Sequence, residues 1–133
     1  MPIIRVDIPE GHSREVRLKL KRLLEDCVAR TWAKEHIYVA LHEVLAEPSD
    51  RTAIITVDLR PGRGEEADRA RALYREALDA LQKTVGTDPE RFVLLIREFP
   101  EWAFVVSGGK ALPSLSQITP ALASRGGAGS ASA

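Results

Sequence analysis

Two short stretches carry residue types that can do chemistry. The first is the proline at position 2. Removal of the initiator methionine would leave a secondary amine at the start of the chain. An α-amino group has a reference pKa of about 8, and burial or nearby cations push it lower. Such an amine is a free base near neutral pH, as general base catalysis requires. The plain alternative is a proline that happens to follow the initiator. The second stretch is Arg60-Pro61-Gly62-Arg63-Gly64, between a predicted strand and a predicted helix. Free amides at a helix N-terminus, with two guanidinium groups nearby, make a site for a carboxylate. Gly62 and Gly64 let the backbone come close to a ligand. An ordinary solvated turn with two exposed arginines fits the same letters. The Gly-x-x-x-x-Gly-Lys-Ser/Thr pattern of a phosphate loop is absent.

The elements that must position these groups are legible in the periodicity. Residues 3–8 alternate, with Ile4, Val6 and Ile8 on one face and Arg5 and Asp7 on the other, as in a half-buried strand. Pro9-Glu10-Gly11-His12 ends it, and Ser13 can cap the following helix. Val16, Leu20, Leu23, Leu24, Cys27, Val28 and Trp32 form that helix's apolar stripe. A second strand is predicted over residues 38–45. The order then repeats: a strand over Ala53–Leu59, a helix opened by Glu65-Glu66 and striped by Ala70, Leu73, Tyr74, Ala77, Leu78, Leu81 and Val85, a stop at Gly86, and a strand over residues 92–99.

The repeat shows in the letters themselves. Ile4-Arg5-Val6-Asp7-Ile8-Pro9-Glu10-Gly11 lies over Ile55-Thr56-Val57-Asp58-Leu59-Arg60-Pro61-Gly62 at a constant offset. Leu41-His42-Glu43 matches Ile96-Arg97-Glu98 after a few extra residues in the second helical region. Each unit has a helix long enough for a crossover, so its two strands run parallel. Neither unit buries enough alone, which predicts an α+β fold: one four-stranded mixed sheet with both helices on one face. If a pseudo-two-fold axis relates the units, their first strands run antiparallel through the middle of the sheet. Pro2 then lies near the end of the third strand, where Arg60 and Arg63 follow.

Composition sets the bounds. The chain has 133 residues, 44% apolar and 29% charged, with 19 basic and 19 acidic side chains. That is one domain, expected over residues 1–111 as two repeats (about 2–46 and 52–106), with a Pro/Ser/Gly/Ala-rich tail at 112–133 whose end is predicted to be disordered. A formal charge of zero argues against a nucleic-acid partner. No apolar run nears the ~20 residues that cross a bilayer, and charges interrupt the N-terminus too early for a signal peptide. A cytoplasmic protein with no membrane partner is expected. Cys27 is the one cysteine, so no intrachain disulfide can form.

The remaining candidates have quieter readings. His12, His36 and His42 lack ligand spacing, and no metal site is expected. Cys27 falls on the first helix's apolar stripe and reads as core packing. Trp102 and Phe104 are alternate positions after the last strand, suited either to a satellite core or to the apolar wall of a pocket. The sheet face away from the helices would carry Arg5, Asp7, Tyr38, Thr56 and Val93, only partly apolar. Such a face is left to solvent or to another subunit, and oligomerisation is the expectation.

In these letters the chain resembles the tautomerase superfamily, built on strand–helix–strand units that begin with a catalytic amino-terminal proline. Pro2-Ile3-Ile4 with Pro9-Glu10-Gly11-His12-Ser13 is similar to the opening of 4-oxalocrotonate tautomerase, where an arginine usually stands at the place of His12. The double length resembles the fused 4-oxalocrotonate tautomerases, cis-3-chloroacrylic acid dehalogenase and malonate semialdehyde decarboxylase, over about residues 2–110. The resemblance implies Pro2 as the catalytic base or acid, and Arg60 and Arg63 as carboxylate-binding residues with the dehalogenase's spacing. It places Trp102 and Phe104 on the decarboxylase's aromatic pair. It also implies no cofactor, one active site per chain, because the second unit begins inside the chain and has no free amine, and a homotrimer, because fused members usually form trimers.

The departures from the family pattern narrow the chemistry. Val28 stands about where the dehalogenase has a helical histidine. The decarboxylase's water-activating aspartate falls near His36, with Glu35 beside it. The arginine that opens the second strand of short tautomerases is replaced by Tyr38 in one unit and Val93 in the other, and Arg91 is the candidate substitute. The expected activity is cofactor-independent ketonisation of small enol or 2-hydroxydienoate carboxylic acids. The alternatives are decarboxylation or hydration of 3-oxo or unsaturated acids, and a non-catalytic trimer of the same fold.

Overall fold

The computed structural model describes residues 2–32, 37–59 and 66–100. Strand β1 spans Ile3–Pro9, helix α1 Arg14–Trp32, strand β2 Tyr38–Val44, strand β3 Ala53–Leu59, helix α2 Glu66–Val85 and strand β4 Phe92–Glu98, with a 3-10 turn at Pro89–Arg91. Local chemistry sets the boundaries. The Ser13 hydroxyl accepts the Val16 N–H at 3.2 Å, filling one of the free amides that open α1. Gly86, with φ of 70°, takes the left-handed conformation that ends α2 without a Cβ penalty. Asp88 caps the 3-10 turn through the Glu90 N–H. The expected strands differ from these only at their ends: β1 runs one residue further, through Pro9, while Leu45 and Phe99 fall outside β2 and β4.

The sheet has the order β2-β1-β3-β4. β1 runs parallel to β2, β3 parallel to β4, and β1 antiparallel to β3. In the central pair Arg5 lies opposite Thr56, and these two residues are also equivalents in the internal repeat. An antiparallel ladder in which repeat-mates face each other has its two-fold axis between them, so the pseudo-symmetry axis crosses the sheet at Arg5 and Thr56. Within the first unit Ile3 faces Tyr38, and within the second Ala53 faces Phe92. The second crossover is therefore four residues longer, matching the extra residues inferred from the letters.

Both helices pack on one face. Ile4, Val6 and Ile8 of β1, Val39 of β2, Ala53, Ile55, Val57 and Leu59 of β3, and Phe92 of β4 share one core with Leu20, Leu24, Val28 and Trp32 of α1 and Leu73, Ala77, Leu81 and Val85 of α2. Two buried positions fall outside the predicted stripes, Thr31 and Ala80. Thr31 is tolerated because its hydroxyl donates to the Cys27 carbonyl at 2.7 Å. Ala80 allows close approach where the two helices meet. Tyr74, expected inside, is 37% exposed and lays its ring 4.9 Å from that of Phe92. Across the helix pair Arg69 donates to the Thr31 carbonyl and Arg30 to Glu76.

Ile55 lies at the centre of β3 and is 1% exposed. Ile55→Ala should lower the unfolding free energy by about 2–5 kcal/mol. Urea denaturation followed by circular dichroism would measure it, and a change below about 1 kcal/mol would contradict the packing described.

Candidate functional site

Pro2 sits just before β1, is fully buried, and accepts the Tyr38 N–H on its carbonyl at 3.2 Å. By strand alternation it shares the helix-facing side with Ile4. Ile3 faces Asp58, so the same antiparallel register carries Pro2 to the level of Leu59, the last residue of β3. Arg60 is bonded to Leu59. Arg60 and Arg63 themselves lie outside the described residues, as do Met1, Glu35, His36, Trp102, Phe104 and the tail from residue 112.

The other face of the sheet forms ordered rows. The row next to Pro2 runs Tyr38, Ile3, Asp58, Arg97 across all four strands. Tyr38 is 56% exposed and Ile3 37%. Arg97 grips Asp58 with two parallel bonds, Nε to Oδ1 at 2.7 Å and Nη2 to Oδ2 at 3.0 Å, the fork geometry that makes such pairs strong. Hydrogen bonding to Asp58 raises the Arg97 pKa above its already high ordinary value. The Arg97 guanidinium also lies 5.9 Å from the centre of the Phe99 ring. The Phe99 N–H donates to the Leu59 carbonyl at 2.9 Å. Leu59 and Phe99 therefore meet at the end of the sheet that holds Pro2.

The next rows are Ala40, Arg5, Thr56, Leu95 and then His42, Asp7, Ile54, Val93. Asp7 meets Arg5 Nε at 3.2 Å and lies 3.9 Å from His42 Nδ1. Arg91 is beyond them, donating from Nε to the Thr52 hydroxyl at 2.8 Å. Thr52 is six residues before Asp58, so Arg91 is about 20 Å along the sheet from the Pro2 row. Within one chain the structure thus brings Tyr38 beside Pro2 and leaves Arg91 at the opposite end.

Asp58 and Arg97 were not among the residues singled out from the sequence, although a signal was present. In the repeat Asp58 is the equivalent of Asp7, and Arg97 of His42. A single repeat comparison therefore pairs the two facing positions in both units.

Cys27 is 4% exposed, and burial, the largest cause, pushes its thiol pKa up despite the nearby Arg30 guanidinium. A buried thiol held in its protonated form is a poor nucleophile. It lies at the floor of a groove of about 370 Å³ between α1 and α2, well away from the sheet's open face. Among the described residues no three His, Cys, Asp or Glu side chains are grouped so as to hold a metal ion. No described helix is long and apolar enough to cross a membrane.

No family model matches this sequence. No curated protein matches it either. Solved structures do match. Pt0534, solved after inactivation by 2-oxo-3-pentynoate, superposes with a TM-score of 0.71 at 21% identity, over 80% of this chain and 93% of that one. A fused 4-OT solved as a symmetric trimer gives a TM-score of 0.69 at 22% identity, over 80% of this chain and 93% of that one. FG41 malonate semialdehyde decarboxylase, inhibited by 3-bromopropiolate, gives 0.62 at 20% identity, over 82% and 92%. The similarity runs through nearly the full length of each of these proteins. This chain therefore shares their fold, here two β-α-β units joined in one four-stranded mixed sheet.

Proposed function

We propose that this protein is a cofactor-independent tautomerase that ketonises small enol or 2-hydroxydienoate carboxylic acids, with Pro2 as its base. The observation that carries the reading is the meeting of chain ends. Pro2 lies level with Leu59, the residue to which the Arg60–Arg63 segment is attached. The Phe99 N–H bond to the Leu59 carbonyl holds the residue three positions before Trp102 at the same end of the sheet.

In this mechanism Arg60 and Arg63 hold the substrate carboxylate. They stabilise negative charge as it spreads toward an enolate, an electrostatic contribution best made by groups already in place. The neutral Pro2 nitrogen takes a proton from the enol oxygen, and the protonated amine returns it to carbon. The base role requires the amine to be neutral at the start of the cycle. The aromatic pair Trp102 and Phe104 excludes water, and Tyr38, whose N–H holds the Pro2 carbonyl, covers the sheet from the open face. The remaining open-face rows, with Val93 and Leu95 exposed at 43% and 49%, are covered by neighbouring copies in a homotrimer. Arg91, about 20 Å from Pro2 in its own chain, would serve a site only across such an interface.

The likeness to malonate semialdehyde decarboxylase supports a second reading, in which a protonated Pro2 promotes decarboxylation or hydration. The pH dependence separates the two. A base gives kcat/KM that rises with pH through the proline pKa, whereas an acid gives kcat/KM that falls through it.

Pro2→Ala should leave the circular dichroism spectrum intact and lower kcat/KM for ketonisation of phenylenolpyruvate or 2-hydroxymuconate by about 10²-fold or more. Unchanged turnover would remove the reading, and a stable protein that retains Met1 would leave only the non-catalytic trimer.

Intact-mass analysis with 2-oxo-3-pentynoate offers a second check. A single adduct is expected on Pro2 of the methionine-processed chain and none on Cys27. The thiol should react with a disulfide reagent at pH 8 only after unfolding, as its burial and raised pKa require. An adduct confined to Cys27 would contradict both assignments.

A further inference from the structure

The two repeats carry equivalent acidic residues, Asp7 and Asp58, facing equivalent partners, His42 and Arg97, on neighbouring strands. The pairs are not equal. His42 Nδ1 stands 3.9 Å from Asp7, and Asp7 leans instead on Arg5 of its own strand. Arg97 grips Asp58 through both carboxylate oxygens. The pseudo-two-fold axis at Arg5 and Thr56 sends the two pairs to opposite ends of the sheet. The strong pair is at the end with Pro2, and the weak one at the end without an amine.

We infer that Asp58 and Arg97 are positioning residues for the Pro2 site, locking the ends of β3 and β4 so that the substrate-binding segments start from fixed points beside the amine. The inference rests on the functional reading above and deepens it. The geometry gives it three independent ties at one place. The carboxylate fork joins β3 to β4, the Phe99 N–H closes on the Leu59 carbonyl one residue further on, and the Arg97 guanidinium covers the Phe99 ring. Asp58 in turn faces Ile3, the residue bonded to Pro2. Leu59, bonded to Arg60, and Phe99, three residues before Trp102, are thereby held relative to each other and to Pro2. Both side chains of the pair are on the open face and outside the helix-packed core, with Arg97 60% and Asp58 22% exposed. Losing their bond should therefore shift the segments without unfolding the domain.

Small displacements of binding groups weaken a reaction far more than they weaken a fold. Asp58→Asn and Arg97→Gln should each raise KM for a carboxylate substrate about tenfold, with kcat lowered less and the pH limb assigned to Pro2 unmoved. The double variant should be no worse than either single, because both remove one interaction. Arg97→Lys, which keeps the charge but loses the fork, should fall between wild type and Arg97→Gln. Labelling provides a readout independent of turnover. Alkylation of Pro2 by the carboxylate-bearing 2-oxo-3-pentynoate should slow about tenfold in the single variants, while alkylation by a neutral ynone should keep its wild-type rate.

Three outcomes overturn the inference: wild-type KM in folded single variants, fully additive losses in the double variant, or equal slowing with both electrophiles. A wild-type protein whose Pro2 takes neither label would instead overturn the functional reading itself, and this inference with it. Labelling of wild-type Pro2 with no difference in the variants removes the positioning role alone.

Discussion

The antiparallel pairing of β1 with β3 is the constraint on which the rest of the molecule depends. Each β-α-β unit is a parallel pair covered by one helix, too small to bury a core alone. Joining the units edge to edge, with Arg5 opposite Thr56, makes a continuous sheet and places both helices on one face. It also fixes a direction. The start of one unit must lie at the finish of the other unit's first strand, so Pro2 and Leu59 share one end of the sheet.

That arrangement is a symmetric frame with asymmetric side chains. The two-fold relation gives each end of the sheet the same backbone, the same crossover hand and an acidic residue at the same place. The side chains around the two ends differ, with a carboxylate–guanidinium fork at one and a looser Asp–His–Arg cluster at the other. The helix-packed side of the central strands differs less, since Ile4, Val6 and Ile8 of β1 match Ile55, Val57 and Leu59 of β3.

The open face balances two demands. Exposed Ile3, Tyr38, Val93 and Leu95 alternate with Arg5, Asp7, Thr56 and Arg97 across the rows. A wholly apolar face would drive non-specific association, and a wholly charged one would oppose any. Ion pairs within β1 and between β3 and β4 set charged groups among the apolar side chains of this face.

The elements, their order and the repeat were all legible in the letters, because alternation and helical spacing report burial residue by residue. Ser13 and Gly86 marked helix ends through their own local chemistry. The antiparallel central pair followed from the offset between the repeats. Thr31 and Ala80 were not legible as buried, since what admits them is a backbone carbonyl in one case and a neighbouring helix in the other. The site divides the same way. Pro2 stood out by its position, and Arg60 with Arg63 by type and spacing. The Asp58–Arg97 fork and the remoteness of Arg91 from Pro2 depended on strand register and direction, which bring residues 39 apart into contact and keep others at opposite ends of one sheet. Sequence alone determined which groups the chain possesses and which segments are strands and helices, because those are properties of neighbouring residues. Which groups meet was decided by tertiary structure, because proximity across a sheet is a matter of pairing partner and register.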